Sequence, residues 1–224
     1  MKRFIFAFLL AVLAPGVWAA ATYTYTGPTY ASAAIINYTP ACGGGDCQNY
    51  LTTMRIAGSF TTAVPLAPNL AAADIRAQLT SWSFSDGLKT IASTDPNARL
   101  FQFQVHTDPG GNITGSTISL QLWQTGSAPH AVNDRYGDIA VLTGSGVANH
   151  NATCLGVGVP PAGDADSCTM GTGFPAETSS AYLSVPGTWA FMLEPNHVPT
   201  LSAWGVVALG ALLGLAGFST RRRG

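Results

Sequence analysis

Apolar and polar residues alternate with a period of two through much of this chain. Met54, Ile56, Gly58 and Phe60 alternate with Arg55, Ala57, Ser59 and Thr61, the pattern of a strand with one buried face. Trp82 and Phe84 alternate with Ser81, Ser83 and Ser85; Asp86-Gly87 then offers the positive φ angles of a tight hairpin turn, and residues 88–91 return. Phe101, Phe103 and Val105 point one way and Gln102, Gln104 and His106 the other, before a reversal at Asp108-Pro109-Gly110-Gly111-Asn112. Ile118, Leu120 and Leu122 alternate with Ser119, Gln121 and Trp123, and the stretches 139–142, 182–185 and 189–193 have the same character. Only 71–79 reads as a short helix. Short strands separated by Gly, Pro, Asn and Asp predict an all-β domain over 20–197, an antiparallel β-sandwich of two sheets packed face to face.

Two stretches break the alternation. Near the start, Lys2 and Arg3 precede an unbroken apolar run at 4–13, and Pro15-Gly16 then leads into Val17-Trp18-Ala19. A run of this length is too short to anchor in a bilayer, and the helix break presents small residues to signal peptidase. Residues 1–19 are therefore expected to be a signal peptide, cut between Ala19 and Ala20. The second stretch, 201–218, carries no charge and is rich in Leu, Val, Ala and Gly. As a helix it spans ~27 Å, close to the hydrocarbon thickness of a bilayer. Arg221, Arg222 and Arg223 follow as a membrane stop that stays on the cytoplasmic side. Both stretches predict the same topology, with the β domain outside the cytoplasm.

Val198-Pro199-Thr200-Leu201-Ser202-Ala203-Trp204-Gly205, followed by the apolar stretch and the arginines, resembles the IPTL-CTERM sorting signal of Gram-negative bacteria. The sorting residues on this resemblance are Val198, Pro199, Thr200, Leu201, Ser202, Trp204 and Gly205, and the signal covers 198–224. Val198 stands where the family usually has Ile, and Ala203 where it generally has Glu; the second departure points to weaker processing. The resemblance implies an exosortase-type transpeptidase as processing partner. It also implies a precursor anchored in the inner membrane with its body facing the periplasm, and a mature form at the cell surface or outside the cell. Pro199 favours an extended approach at Val198, the shape a protease holds, and Trp204 lies where an indole prefers the membrane interface. The domain itself is loosely similar to small β-rich exported proteins of unknown role, through residues 55–60, Pro65-Leu66-Ala67-Pro68-Asn69 and Phe84-Ser85-Asp86-Gly87.

Charge narrows the partners. Of the ten basic residues, five lie in the two terminal stretches, leaving five against eleven acids. That balance argues against nucleic acid. Four cysteines allow three pairings. Local bridges are expected, Cys42 with Cys47 around a Gly-Gly-Gly-Asp loop and Cys154 with Cys168 around a Gly/Pro-rich one. The rival is a four-cysteine zinc site, but the spacings lack the C-x-x-C knuckles such sites use.

Chemistry is sparse. Thr143-Gly144-Ser145-Gly146 lacks the first glycine of a nucleophile elbow. His106, His130, His150 and His197 are scattered without metal-binding spacing and read as exposed strand or loop residues. Asp164 and Asp166 could share a calcium ion, yet nothing completes its shell, so a solvated loop is the better reading. The sequons at Asn37, Asn112 and Asn151 matter only in a eukaryotic secretory pathway. No catalytic residue, metal or cofactor is expected. The readings left are a non-enzymatic envelope or matrix protein and a surface polysaccharide-binding module in which Trp123, Trp82 or Tyr136 stacks on sugar. Trp123 is the leading candidate there, set against a role in a second core layer. A third reading is a secreted enzyme with an unrecognised site.

Overall fold

The computed structural model describes residues 20–193. The signal peptide, its cleavage point at Ala19, the apolar tail at 201–218, the sorting residues from Val198 to Gly205 and the arginine stop all lie outside the described residues, apart from Ala20. Among the described residues no helix is long and apolar enough to cross a membrane.

Among the described residues thirteen strands form two antiparallel sheets. The smaller runs in the order β13 (Thr188–Leu193), β1 (Ala21–Thr29), β3 (Arg55–Thr62), β5 (Leu79–Ser85), β6 (Thr90–Ala92). The larger runs β2 (Ile35–Ile36), β12 (Ser179–Leu183), β10 (Ser145–Gly158), β9 (Arg135–Leu142), β8 (Ile113–Trp123), β7 (Ala98–Thr107), β4 (Ala73–Asp74), with β11 (Ser167–Thr172) paired to the far half of β10. The two sheets share one apolar core. Tyr23, Ile56, Phe60 and Phe84 come from the smaller sheet and Phe103, Val105, Ile118, Leu120, Ile139 and Val141 from the larger. Phe60 meets Phe103 edge to face at 5.0 Å between ring centroids, a geometry that aligns ring edge with ring face electrostatically. Gly58 is required here, because a Cβ at this position would run into the Phe84 ring. The core and both disulfides are closed within 20–193, so this part has what an independent folding unit needs.

Period-two alternation places Ile56 and Phe60, Ile118 and Leu120, and Phe103 and Val105 inside, as the sequence predicts. Phe101 departs from it. A register shift between Leu100 and Gln102 turns Leu100 into the core and leaves Phe101 half-buried. The helix expected over 71–79 does not form. That stretch holds β4 and a single 3-10 turn, Arg76–Gln78. Ile75 is fully buried and its N–H donates to Phe103 O at 3.1 Å, while Asp74 Oδ1 accepts from Arg76 N–H. An edge contact to β7 wins over a helix too short to support itself. At Asp86-Gly87 only Gly87 has positive φ (97°). The connection is a four-residue loop, 86–89, in which the buried Asp86 carboxylate accepts from the N–H groups of Leu88 and Lys89.

Candidate functional site

The outward side of the larger sheet is where polar chemistry collects. Inward residues of β8 and β9 alternate with Gln121, Trp123, Tyr136 and Asp138, which face away from the core between the sheets. A second, smaller apolar cluster covers part of that side: Trp123, Tyr136, Ala152, Cys154 and Cys168. It exists because β10 runs on past β9 and, with β11, folds a ribbon tied by the Cys154–Cys168 disulfide. Both disulfides have the pairing the spacing predicts, Cys42–Cys47 and Cys154–Cys168.

Trp123 sits under this ribbon and does not present a free face. It is 3% exposed, stacks on His130 at 4.4 Å with nearly parallel rings, and its Nε1–H donates to Asp166 O at 2.8 Å. The proposed sugar-stacking role of Trp123 is therefore corrected: the side chain belongs to the second core layer. Tyr136 is buried beside it, and Trp82 packs on the main core. Asp166 is the centre of the local network. One carboxylate oxygen accepts from Arg99 Nη2 at 2.7 Å and lies 2.7 Å from His130 Nδ1, and the other accepts the His130 backbone N–H. Against the cost of burial, the hydrogen bonds from His130 and Arg99 hold its carboxyl below the usual range. Asp164 accepts the Leu100 N–H, so the pair fastens the loop to β7 through separate contacts.

A second polar knot surrounds an irregularity in β10 between Asn149 and Ala152, where Asn151 takes φ 59°. His150 is fully buried; its Nε2–H donates to Asp46 O at 2.6 Å and its Nδ1 accepts from Gln124 Nε2 at 3.0 Å. Burial holds its pKa below the ordinary histidine value. Asn151 Nδ2 donates to Gly44 O and Glu177 O, and Gln124 Oε1 accepts the Asn151 N–H. Arg135 pairs with Glu177, and Lys89 with Asp46. The Cys42–Cys47 loop is thus clamped onto the strand. The expectation that the histidines are exposed is corrected for His130 and His150, whose rings serve as buried hydrogen-bonding plugs; His106 is half-buried, and His197 lies outside the described residues. Asn151 is likewise too buried to accept a glycan.

Beside this knot lies an open cleft of about 320 Å³, lined by Tyr136, Asn149, Thr172, Thr178, Ser180 and Tyr182 among others. Asn149 is the hinge of its hydrogen bonding: Nδ2 donates to the Asp138 carboxylate at 3.1 Å, and Oδ1 accepts from Ser180 Oγ at 2.7 Å. Burial pushes Asp138 up to about 7 despite the Asn149 hydrogen bond. Tyr182 is 43% exposed at the rim. Such a surface can exchange hydrogen bonds with hydroxyl groups and lay one aromatic ring against a ligand. Among the described residues no three His, Cys, Asp or Glu side chains converge as a metal site. Thr143-Gly144 is the two-residue turn between β9 and β10, with Gly144 at φ 90°, and Thr143 Oγ1 is engaged with the Ser116 backbone. Sequence reasoning missed Asp138, Asn149, Ser180 and Tyr182. The only available signal was the polar residues spaced along strands that would otherwise read as surface.

The family model described as the IPTL-CTERM motif matches residues 198–223. Neither a curated protein nor a solved structure matches the chain.

Proposed function

From the IPTL-CTERM motif carried at residues 198–223, we propose that this is an exported envelope or extracellular protein with a non-enzymatic, structural role in the matrix. The motif is a C-terminal sorting signal and implies a secreted or envelope-associated product processed by an exosortase-type enzyme. On this reading signal peptidase removes 1–19, the 201–218 segment holds the precursor in the inner membrane, and Arg221, Arg222 and Arg223 remain inside. The domain delivered this way is suited to persistence in an oxidising compartment: two disulfides secure loops on its surface. The observation that carries the reading is the motif itself. Pulse-labelling in the native cells, comparing the wild type with Pro199→Leu and Trp204→Ala, tests it. Both variants should accumulate as full-length precursor, whereas processing at the wild-type rate in both would overturn it.

A second reading is supported by the cleft over Asn149, Ser180 and Tyr182. There the domain binds surface polysaccharide, with Tyr182 as the stacking ring in place of Trp123. A glycan array with oxidised residues 20–197 checks this. Retention lost in Tyr182→Ala supports it, and no retention of any glycan removes it.

A further inference from the structure

The four edges reached by the two strand orders are not alike. Three end in strands too short to template a partner: β2 and β4 have two residues each and β6 has three. The side strand β11 has six, but its pairing with β10 is broken by two register shifts and it carries the Cys168 bridge. Brevity and bulges are the usual ways in which a sheet edge is kept from pairing with another chain.

β13 has none of these protections. Its six residues, Thr188-Trp189-Ala190-Phe191-Met192-Leu193, include no charge and no proline, and all six pair in unbroken register with β1. Among the described residues nothing pairs with its other side. Trp189 and Phe191 lean on Tyr25 and Tyr23 along the core face, yet Phe191 stays 40% exposed, with Met192 at 63% and Leu193 at 51%.

We infer that β13 is a self-association edge, on which two copies of this chain pair β13 to β13 in antiparallel fashion and join their smaller sheets into one. A twofold axis normal to the sheet keeps both core faces on the same side, which requires facing residues to share a face. Centred on Phe191, the register sets Phe191 opposite its counterpart, Trp189 opposite Leu193 and Ala190 opposite Met192. Every one of these pairs is apolar, so the strand complements itself. A lipid surface could cover the side chains but would leave the row of backbone N–H and C=O groups without partners, whereas a second strand satisfies them. Only residues 194–197 separate β13 from the sorting motif. Copies held by their tails therefore present this edge at a common surface, where local concentration favours pairing. That last step rests on the proposed sorting; the edge chemistry does not.

The test is a charge-swap cycle on oxidised residues 20–197, read by sedimentation velocity over a range of concentrations, with thermal unfolding as the control for folding. The wild type should dimerise. Ala190→Lys with Met192→Lys sets like charges opposite each other in the register and should weaken the dimer by more than about tenfold, as should Ala190→Glu with Met192→Glu. Mixing the two folded variants should restore a heterodimer. A wild type that stays monomeric overturns the inference, as does a dimer indifferent to both charge pairs. So does a monomer that binds phosphatidylethanolamine–phosphatidylglycerol vesicles and is released by Met192→Lys. Because the fragment lacks the sorting motif, failure here leaves tail processing untouched, and failure of processing leaves this result standing.

Discussion

On the inward side of the larger sheet, Phe103, Val105, Ile118, Leu120, Ile139 and Val141 meet the rings of the smaller sheet in a continuous apolar core. On its outward side the buried groups include Gln121, His130, His150 and Asn151, each aimed at a particular backbone or carboxylate atom. The inner side is held by area, which is tolerant of detail and indifferent to pH. The outer side is held by partners and by disulfides, so it responds to protonation and reduction. The same strands thus carry a robust layer and a conditional one.

The apolar layer is the more sensitive of the two to truncation. Phe103→Ala removes a fully buried ring that touches both Phe60 and Phe84. It should lower the unfolding free energy by about 3–5 kcal/mol, read by urea denaturation of oxidised residues 20–197. On the outer side, Cys154→Ser with Cys168→Ser opens the ribbon over Trp123 and should cost about 3 kcal/mol by the chain-entropy argument. Reduction of the wild type should cost more than this, because it also opens Cys42–Cys47, and reduction of the double variant should cost only that second part.

Protonation acts on the outer layer. His150 has a folded pKa below its unfolded value near 6.5, so the unfolded chain takes up the proton first. The stability that neutral His150 supports is whole above that pH and is lost as the pH falls from there through the folded value. Asp138 behaves in the opposite sense. Its folded pKa of about 7 lies above the ordinary value of 3.8, so stability is lost as the pH rises between those limits. Asp138→Asn should therefore raise stability at pH 8 by about 1–2 kcal/mol, discounted for its partial exposure, and change little at pH 4. Melting temperatures of the wild type and Asp138→Asn across pH 4–8 check both signs. The smallest effect expected is from Met192→Lys, an exposed position on β13, which should alter monomer stability by no more than about 0.5 kcal/mol in a thermal melt.

The inner layer was legible because period-two alternation reports a single buried face. It identified Ile56 and Phe60, Phe103 and Val105, and Ile118 and Leu120; it slipped at Phe101, where an extra residue in β7 shifts the phase, and at 184–185, which lie past the end of β12. Both disulfides were legible because a short loop brings its own ends together. The outer layer was not. Trp123 occupies a position that alternation assigns to the surface, and only the distant β10–β11 ribbon buries it. His130 and His150 are buried by loops from residues 46 and 166, contacts no local pattern encodes. The cleft sets Asn149 beside Asp138 and Ser180 as cross-strand neighbours from β9 and β12, and local alternation does not say which strands pair or in what register. The sorting motif was readable for a different reason: it is recognised as an extended stretch of sequence and needs no fold to bring its residues together.

On the proposed function, the β domain is delivered outside the cytoplasm and released from its sorting tail. Intact-mass and peptide mass spectrometry of the protein recovered from its native cells addresses it directly. The expected product begins at Ala20, ends before the arginines and has Cys42–Cys47 and Cys154–Cys168 oxidised. Recovery of a polypeptide that retains Met1 and Arg221–Arg223 with four free thiols would rule out export and tail release.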